Sequence, residues 1–326
     1  MLFITNRAIN EIELARVEQD RKITFDLSNN LARQSINFCR RAGPDDFIEL
    51  GSQKFMSELK RSAAEQLLIF IHGYSNLPEP DIFPRAQALQ KLFDDQRANW
   101  VQVVPIIWPC DNDLGIIKDY WDDQKAADAS AFAFARILEM FLAWRNKVEG
   151  EDNEPPCLKR INVLAHSMGN RVFRQTMETW ACYDRGGEVP LLFRNVFLVA
   201  ADIVNESLER GREGEYICQS ARNVSVYFAS DDLALRASKA ANLKNKIASR
   251  RLGHTGPENM ELVPGNVYAI DCDDLNTRYD SPKGHSYFTF DASGEKPGKV
   301  FEHIAQSVSS GRVHVDDPQQ RVHVLK

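Results

Sequence analysis

Short apolar runs alternate with stretches of helical periodicity along most of this chain. The runs fall at 67–71 (LLIFI), 101–107 (VQVVPII), 161–164, 195–200 (NVFLVA), 223–229 (NVSVYFA) and 266–270 (NVYAI). Runs of this length, bounded by turn residues, read as strands, and those apolar on both faces as strands of a parallel sheet. Helical patterns lie between them at 84–98, 122–147, 168–183, 206–218 and 233–250, with a closing one at 299–308. The helix at 122–147 sets Phe134, Leu138, Phe141 and Trp144 on one stripe, a face for packing on a sheet. Residues 148–159 (VEGEDNEPPCLK) read as a polar loop. Strands alternating with helices of this length predict a three-layer α/β fold with a mostly parallel central sheet flanked by helices.

The first 60 residues have a different rhythm. Short strands are predicted at 2–4, 23–25 and 47–50, breakers at Gly43-Pro44 and Gly51-Ser52, and one amphipathic helix at 55–63. The whole reads as a single domain over 1–326: a strand-rich N-terminal part (1–60), a core (61–310) and a polar tail (311–326).

Composition changes this picture little. A chain with 43% hydrophobic and 26% charged residues fits a soluble globular protein. A formal net charge of -6 argues against a nucleic-acid binder. The basic stretch 244–251 (KNKIASRR) reads as a solvated helix face. Six scattered cysteines without a C-x-x-C pair indicate neither a zinc site nor a redox motif and read as reduced interior thiols. No signal-like start is present, and no apolar run nears the roughly 20 residues of a membrane span. The expectation is a cytoplasmic protein with no membrane span. Oligomeric state is not readable.

Chemistry in parallel sheets gathers at the C-terminal strand ends. Tyr74, Ser167, Asp202, Asp231, Asp232 and His285 all fall there. Around Ser167 the sequence is RINVLAHSMG: strand, sharp turn, helix, with a serine at the apex. This approximates the G-x-S-x-G nucleophile elbow, with Ala165 for the first glycine and Gly169 for the second. Both must be small because strand and helix pack closely there. A serine at such a turn also suits an ordinary helix N-cap, so other stretches must decide.

The run 67–71 opens into His72-Gly73-Tyr74-Ser75-Asn76, a place to aim a backbone N–H at a developing alkoxide, with His72 holding the loop. A serine hydroxyl is a poor nucleophile until a base takes its proton, and the base needs an orienting carboxylate. In chain order those parts are Ser167, then Asp231 or Asp232, then His285. Asp202 is a rival acid. His254 and His303 are rival bases, the first in a loop far from a strand end, the second inside the final helix. His166 precedes the serine and is poorly placed to serve it.

Taken together, HGYSN, HSMGN, SDDLALRAS, RLGHTGP and GHS, with the opening FITNR and the stretch IELGSQKF, resemble the bacterial DUF900 family of α/β-hydrolases over roughly residues 1–305. The resemblance implies an esterase- or lipase-like serine hydrolase with Ser167 as nucleophile and His285 as base. It ranks Asp232 above Asp231 as the acid, since the family's aspartate precedes an A-L-[RK]-x-S segment. Backbone N–H groups of Met168 and Tyr74 would hold the oxyanion, with His72, Gly73, His166 and Gly169 supporting elbow and loop. The substrate would be a small acyl ester, with neither metal nor organic cofactor required. An idle ligand-binding protein on the same fold, or an amidase, thioesterase or acyltransferase, remains the alternative. With no long insertion between Ala200 and Asn223, a large lid there is not expected, and the segment 233–265 is the other candidate cover.

Overall fold

The computed structural model describes residues 1–11, 21–110, 116–145, 157–243, 250–317 and 319–326. The chain opens with β1 (Leu2–Thr5), β2 (Ile9–Glu11), β3 (Arg21–Phe25), β4 (Asn37–Gly43) and β5 (Asp46–Glu49), then α1 (Gly51–Arg61). β6 (Gln66–Ile71), α2 (Phe83–Gln96), β7 (Val101–Ile107), α3 (Ile116–Arg145), β8 (Arg160–His166) and α4 (Gly169–Thr179) follow. After them come β9 (Phe193–Val199), α5 (Glu215–Ser220), β10 (Ala221–Phe228), α6 (Leu233–Leu243) and α7 (Leu252–Thr255). The chain closes with β11 (Val267–Asp271), α8 (Asn276–Tyr279), α9 (Lys299–Ser310) and β12 (Val322–Val324).

The strands form one twelve-stranded sheet in the order β12-β11-β10-β9-β8-β6-β7-β1-β4-β5-β3-β2. Pairing is parallel from β12 to β1 and antiparallel from β1 through β4, β5 and β3 to β2. Central strands are buried on both faces, as their continuous apolar runs require. In β6, Leu67 and Ile71 face one core with Phe55, Phe134 and Phe173. Leu68 and Phe70 face the other with Leu89, Phe93 and Phe301. Two cores on two faces make the three layers of an α/β-hydrolase fold.

From β6 the chain crosses to β7, then doubles back through α3 to place β8 on the other side of β6. Strand order reverses there, and crevices open above such switch points at the C-terminal strand ends. The elbow and the HGYSN loop leave the sheet side by side at this place.

Several elements depart from the sequence pattern. β4 was not predicted. Only its first three residues are buried, and Arg40 and Arg41 pair with Glu58 and Glu79, so its run is half polar. β1 pairs in parallel with β7, so the N-terminal strands extend the main sheet. α1 begins at Gly51, where a breaker was read: its φ of +71° turns the chain directly out of β5 into the helix. The helix expected at 206–218 is only α5. Before it, Gly214 donates its N–H to Ser207 O at 2.9 Å, closing a turn that no helix allows.

The expected helix at 168–183 ends as α4, and a π-helical turn at Trp180–Asp184 follows. Of the expected 233–250 helix, Leu233–Leu243 is α6, and residues 244–249 lie outside the described residues, as do 146–156 of the polar loop. Arg251, read as part of a solvated face, is buried. The polar tail carries β12, which pairs with β11 through backbone bonds that side-chain pattern does not advertise. All six cysteines are free, five buried and Cys182 exposed, so not all are interior. Among the described residues no helix is long and apolar enough to cross a membrane.

Candidate active site

Ser167 stands at the end of β8 with φ +53°, a left-handed conformation that costs a non-glycine residue about 1–3 kcal/mol. Its surroundings impose it. The Ser167 N–H donates to Val199 O at 3.0 Å, and Ser167 O accepts from the N–H groups of Asn170 and Asp202, each at 3.1 Å. The Asn170 carboxamide donates to Ala165 O and Ser167 O, both at 3.0 Å. A Cβ on Gly169 would lie 2.5 Å from both Ile71 O and His72 O, so helix and strand meet at a distance only glycine permits. At Ala165 a methyl fits and is fully buried. Ser167 itself is 2% exposed.

The loop after β6 is held by His72. Its ring stacks on Trp108 at 5.1 Å with 4° between planes. Trp108 N–H donates to Nε2 at 3.2 Å, which makes Nε2 the acceptor and Nδ1 the protonated nitrogen. Nδ1–H donates in turn to Gly73 O at 2.8 Å. Burial pushes the His72 pKa down to about 3, so the ring is neutral. In a planar trans peptide the C=O and the next N–H point in opposite directions. Fixing Gly73 O therefore turns the Tyr74 N–H away from His72. Neither the Tyr74 N–H nor the Met168 N–H finds an acceptor among the described residues. A Cβ on Gly73 would sit 2.9 Å from Ser167 Cβ and 3.4 Å from its Oγ, so this backbone lies against the serine.

Asp232 and His285 meet at the next strand ends. Asp232 is fully buried at the start of α6. Its Oδ1 accepts from Leu235 N–H at 3.0 Å, a helix-capping bond, and its Oδ2 accepts from His285 Nδ1–H at 2.7 Å. That bond fixes the tautomer and leaves His285 Nε2 a lone pair. The His285 loop is pinned by Asp280, whose Oδ2 accepts from the N–H groups of His285 and Ser286, each at 2.7 Å. Gly284, at φ +62°, lies where a Cβ would meet Asn276 Nδ2 at 2.5 Å. His166, next to the serine, donates Nε2–H to His285 O at 3.0 Å, and the two rings lie 4.8 Å apart. Burial, then the neighbouring His285, holds the His166 pKa well below its ordinary value.

Over residues 50–292 the sequence matches the family described as "Alpha/beta hydrolase of unknown function (DUF900)". The chain belongs to the DUF900 family. A search of curated proteins finds no match. Three solved structures resemble this DUF900 chain loosely. A lipase-esterase related protein from Clostridium acetobutylicum ATCC 824 shares 10% identity over 77% of this chain and 95% of that one, with a TM-score of 0.30. The gene lin2722 product from Listeria innocua shares 13% over 80% and 99%, at 0.31. Polyneuridine aldehyde esterase shares 10% over 80% and 91%, at 0.28. Likenesses this loose carry no argument about what the DUF900 chain acts on.

The rival carboxylates are otherwise engaged. Asp202 accepts from Tyr120 OH at 2.8 Å and Ser238 Oγ at 2.6 Å, and Arg251 Nε lies 3.2 Å away as a buried ion pair not aligned as a hydrogen bond. Asp231 accepts from the Asn276 carboxamide. Of the rival histidines, His303 is buried between Tyr227 OH and His314 O, with burial lowering its pKa to about 4. His254 lies on α7, whose Gly253 packs so tightly on Ala200-Ala201 that a Cβ would come within 2.1 Å of Ala201 N. Sequence reasoning missed Tyr120, Asp123, Asn170, Ser238 and Asp280. Asn170, inside HSMGN, and Ser238, the last residue of SDDLALRAS, carried a signal. Tyr120, Asp123 and Asp280 belong to no motif that pointed to the site.

Proposed function

We propose that this chain is a serine hydrolase that cleaves carboxylic esters through an acyl-enzyme. Ser167 is the nucleophile, His285 the base and Asp232 the orienting acid. The observation that carries the reading is the Asp232–His285 pair, buried and in the tautomer a base requires, tied by the His166 bond to His285 O to the elbow that holds Ser167 at φ +53°.

His285 Nε2 takes the Ser167 proton as Oγ bonds to the acyl carbon, and Asp232 stabilises the imidazolium that forms. The carbonyl oxygen becomes an oxyanion facing the Met168 and Tyr74 N–H groups, each worth on the order of 3 kcal/mol in the transition state. Collapse breaks the bond to the alcohol, which leaves with the proton from His285. Water, giving its proton to the same nitrogen, then attacks the acyl-enzyme and releases the acid and Ser167. His166, neutral and bonded to His285 O, adds no positive charge beside that imidazolium.

The test is labelling with a fluorophosphonate probe and peptide mapping. A tag on Ser167, lost in His285→Ala, supports a working serine hydrolase. No tag on folded protein defeats the reading and favours ligand binding without turnover. A panel of esters, amides and thioesters then separates esterase from the other acyl transfers.

A further inference from the structure

The oxyanion loop is held from a second side, by the first described turns of α3. Ser75 has φ +55°, left-handed without a glycine's licence. Its N–H donates to Asp123 Oδ2 at 2.9 Å, across 48 residues of sequence. Asp123 is 0% exposed, and its Oδ1 accepts from Asn30 Nδ2 at 2.9 Å. One turn earlier on the same helix, the Tyr120 ring meets the Tyr74 ring edge-on at 5.6 Å. The Tyr120 hydroxyl donates to Asp202, whose own N–H donates to Ser167 O.

We propose that Asp123 is a positioning residue for the oxyanion donor at Tyr74, a role that rests on the reaction assigned above. The Gly73–Tyr74 peptide carries the Tyr74 N–H and lies between two anchors. His72 Nδ1–H holds its C=O, and Asp123 holds the N–H of the following peptide. Remove the second anchor and the Tyr74–Ser75 peptide loses the bond on its N–H, leaving the Asn76 carboxamide on Tyr74 O to hold it, so Ser75 can leave positive φ. Relaxation of Ser75 to the right-handed region turns the Tyr74–Ser75 peptide and carries the Tyr74 N–H off its aim. The donor then fails where charge develops, in the transition state, while substrate binding in the ground state is little changed.

The experiment is steady-state kinetics on Asp123→Ala and Asp123→Asn with an activated ester, together with the affinity of a trifluoromethyl ketone, whose hemiketal oxyanion needs the same donors. Loss of a well-aimed donor predicts a fall in kcat of about 10- to 100-fold for Asp123→Ala, with KM within about twofold. Ketone affinity should fall by a similar factor, and the acid limb of the pH profile should stay in place. Asp123→Asn keeps an acceptor for the Ser75 N–H and should restore most of kcat. If Asp123→Ala does not fold, Asp123→Ser, too short to reach Ser75, is measured against the same criteria. Wild-type kcat in the folded variant overturns the role. So does a rise in KM alone, unchanged ketone affinity, or an asparagine no better than alanine. Ser167→Ala separates the two levels. If it keeps the wild-type rate, the reaction assignment falls and the positioning role with it. If it is dead while Asp123→Ala turns over normally, only the positioning role falls.

Discussion

His72 makes the fold sensitive to mild acid, by an amount that can be worked out. Its folded pKa is about 3 because the ring is buried, against an ordinary 6.5 in the unfolded chain. The folded value is the lower one, so below pH 6.5 the unfolded chain binds a proton that the folded chain refuses. Stability from this residue is therefore fully present above about pH 7 and falls as pH drops, by about 1.4 kcal/mol per pH unit. By pH 5 the loss is about 2 kcal/mol, a large share of a total of roughly 5–15 kcal/mol. His303, pushed down to about 4, loses about the same by pH 5. The assay is urea unfolding at pH 7.5, 6 and 5 on the wild type and on His72→Asn. Asparagine can donate to Gly73 O but does not titrate, and it should cost about 1 kcal/mol at pH 7.5 through the lost Trp108 bond. The gap between the two proteins should then shift by about 2 kcal/mol in the variant's favour by pH 5. A gap that stays constant across the range would refute the argument that a buried neutral His72 resists protonation.

Three further substitutions test separate parts of the site. Gly169→Ala places a methyl 2.5 Å from two carbonyl oxygens and should cost about 3 kcal/mol or more, read as a lower urea midpoint. Asp232→Asn keeps an acceptor for Leu235 N–H, so melting should change little while kcat drops by about 10⁴-fold, as a wrong histidine tautomer would cause. Arg251→Ala leaves the Asp202 carboxylate buried without its cation and should destabilise by roughly 3–5 kcal/mol, with Asp202→Asn in the same chain recovering part of it in a double-mutant cycle.

Much of this molecule was readable before its structure. The central strands announce themselves because both faces are buried, which forces unbroken apolar runs such as LLIFI. Where only one part of a strand is buried, as in Asn37–Gly43, or where backbone pairing and a single half-buried histidine hold it, as in Val322–Val324, the pattern is silent. The order serine, aspartate, histidine could be read from the chain, but strand ends alone did not choose among Asp202, Asp231 and Asp232; only the family's A-L-[RK]-x-S segment ranked Asp232 above Asp231. All three follow strand ends, and side-chain direction separates them. Asp232 turns inward to His285, Asp231 meets Asn276, and Asp202 is claimed by Tyr120, Ser238 and Arg251 from three different elements. Contacts spanning 36 to 82 residues leave no local trace. At the end of the basic run, Arg250 is exposed as expected, but Arg251 turns inward to a buried carboxylate, an ion pair across 49 residues that local charge pattern does not reveal.

The serine at 2% exposure and the histidine at 9% leave a narrow approach to the polar atoms of both side chains. Neither Ser167 Oγ nor His285 Nε2 is among the buried polar atoms without a partner, so what is open is a small window rather than a sealed pocket. On the reaction proposed above, slim and bulky acylating agents with equal intrinsic reactivity should therefore separate by size. Electrophiles too broad for that window would leave the serine untouched.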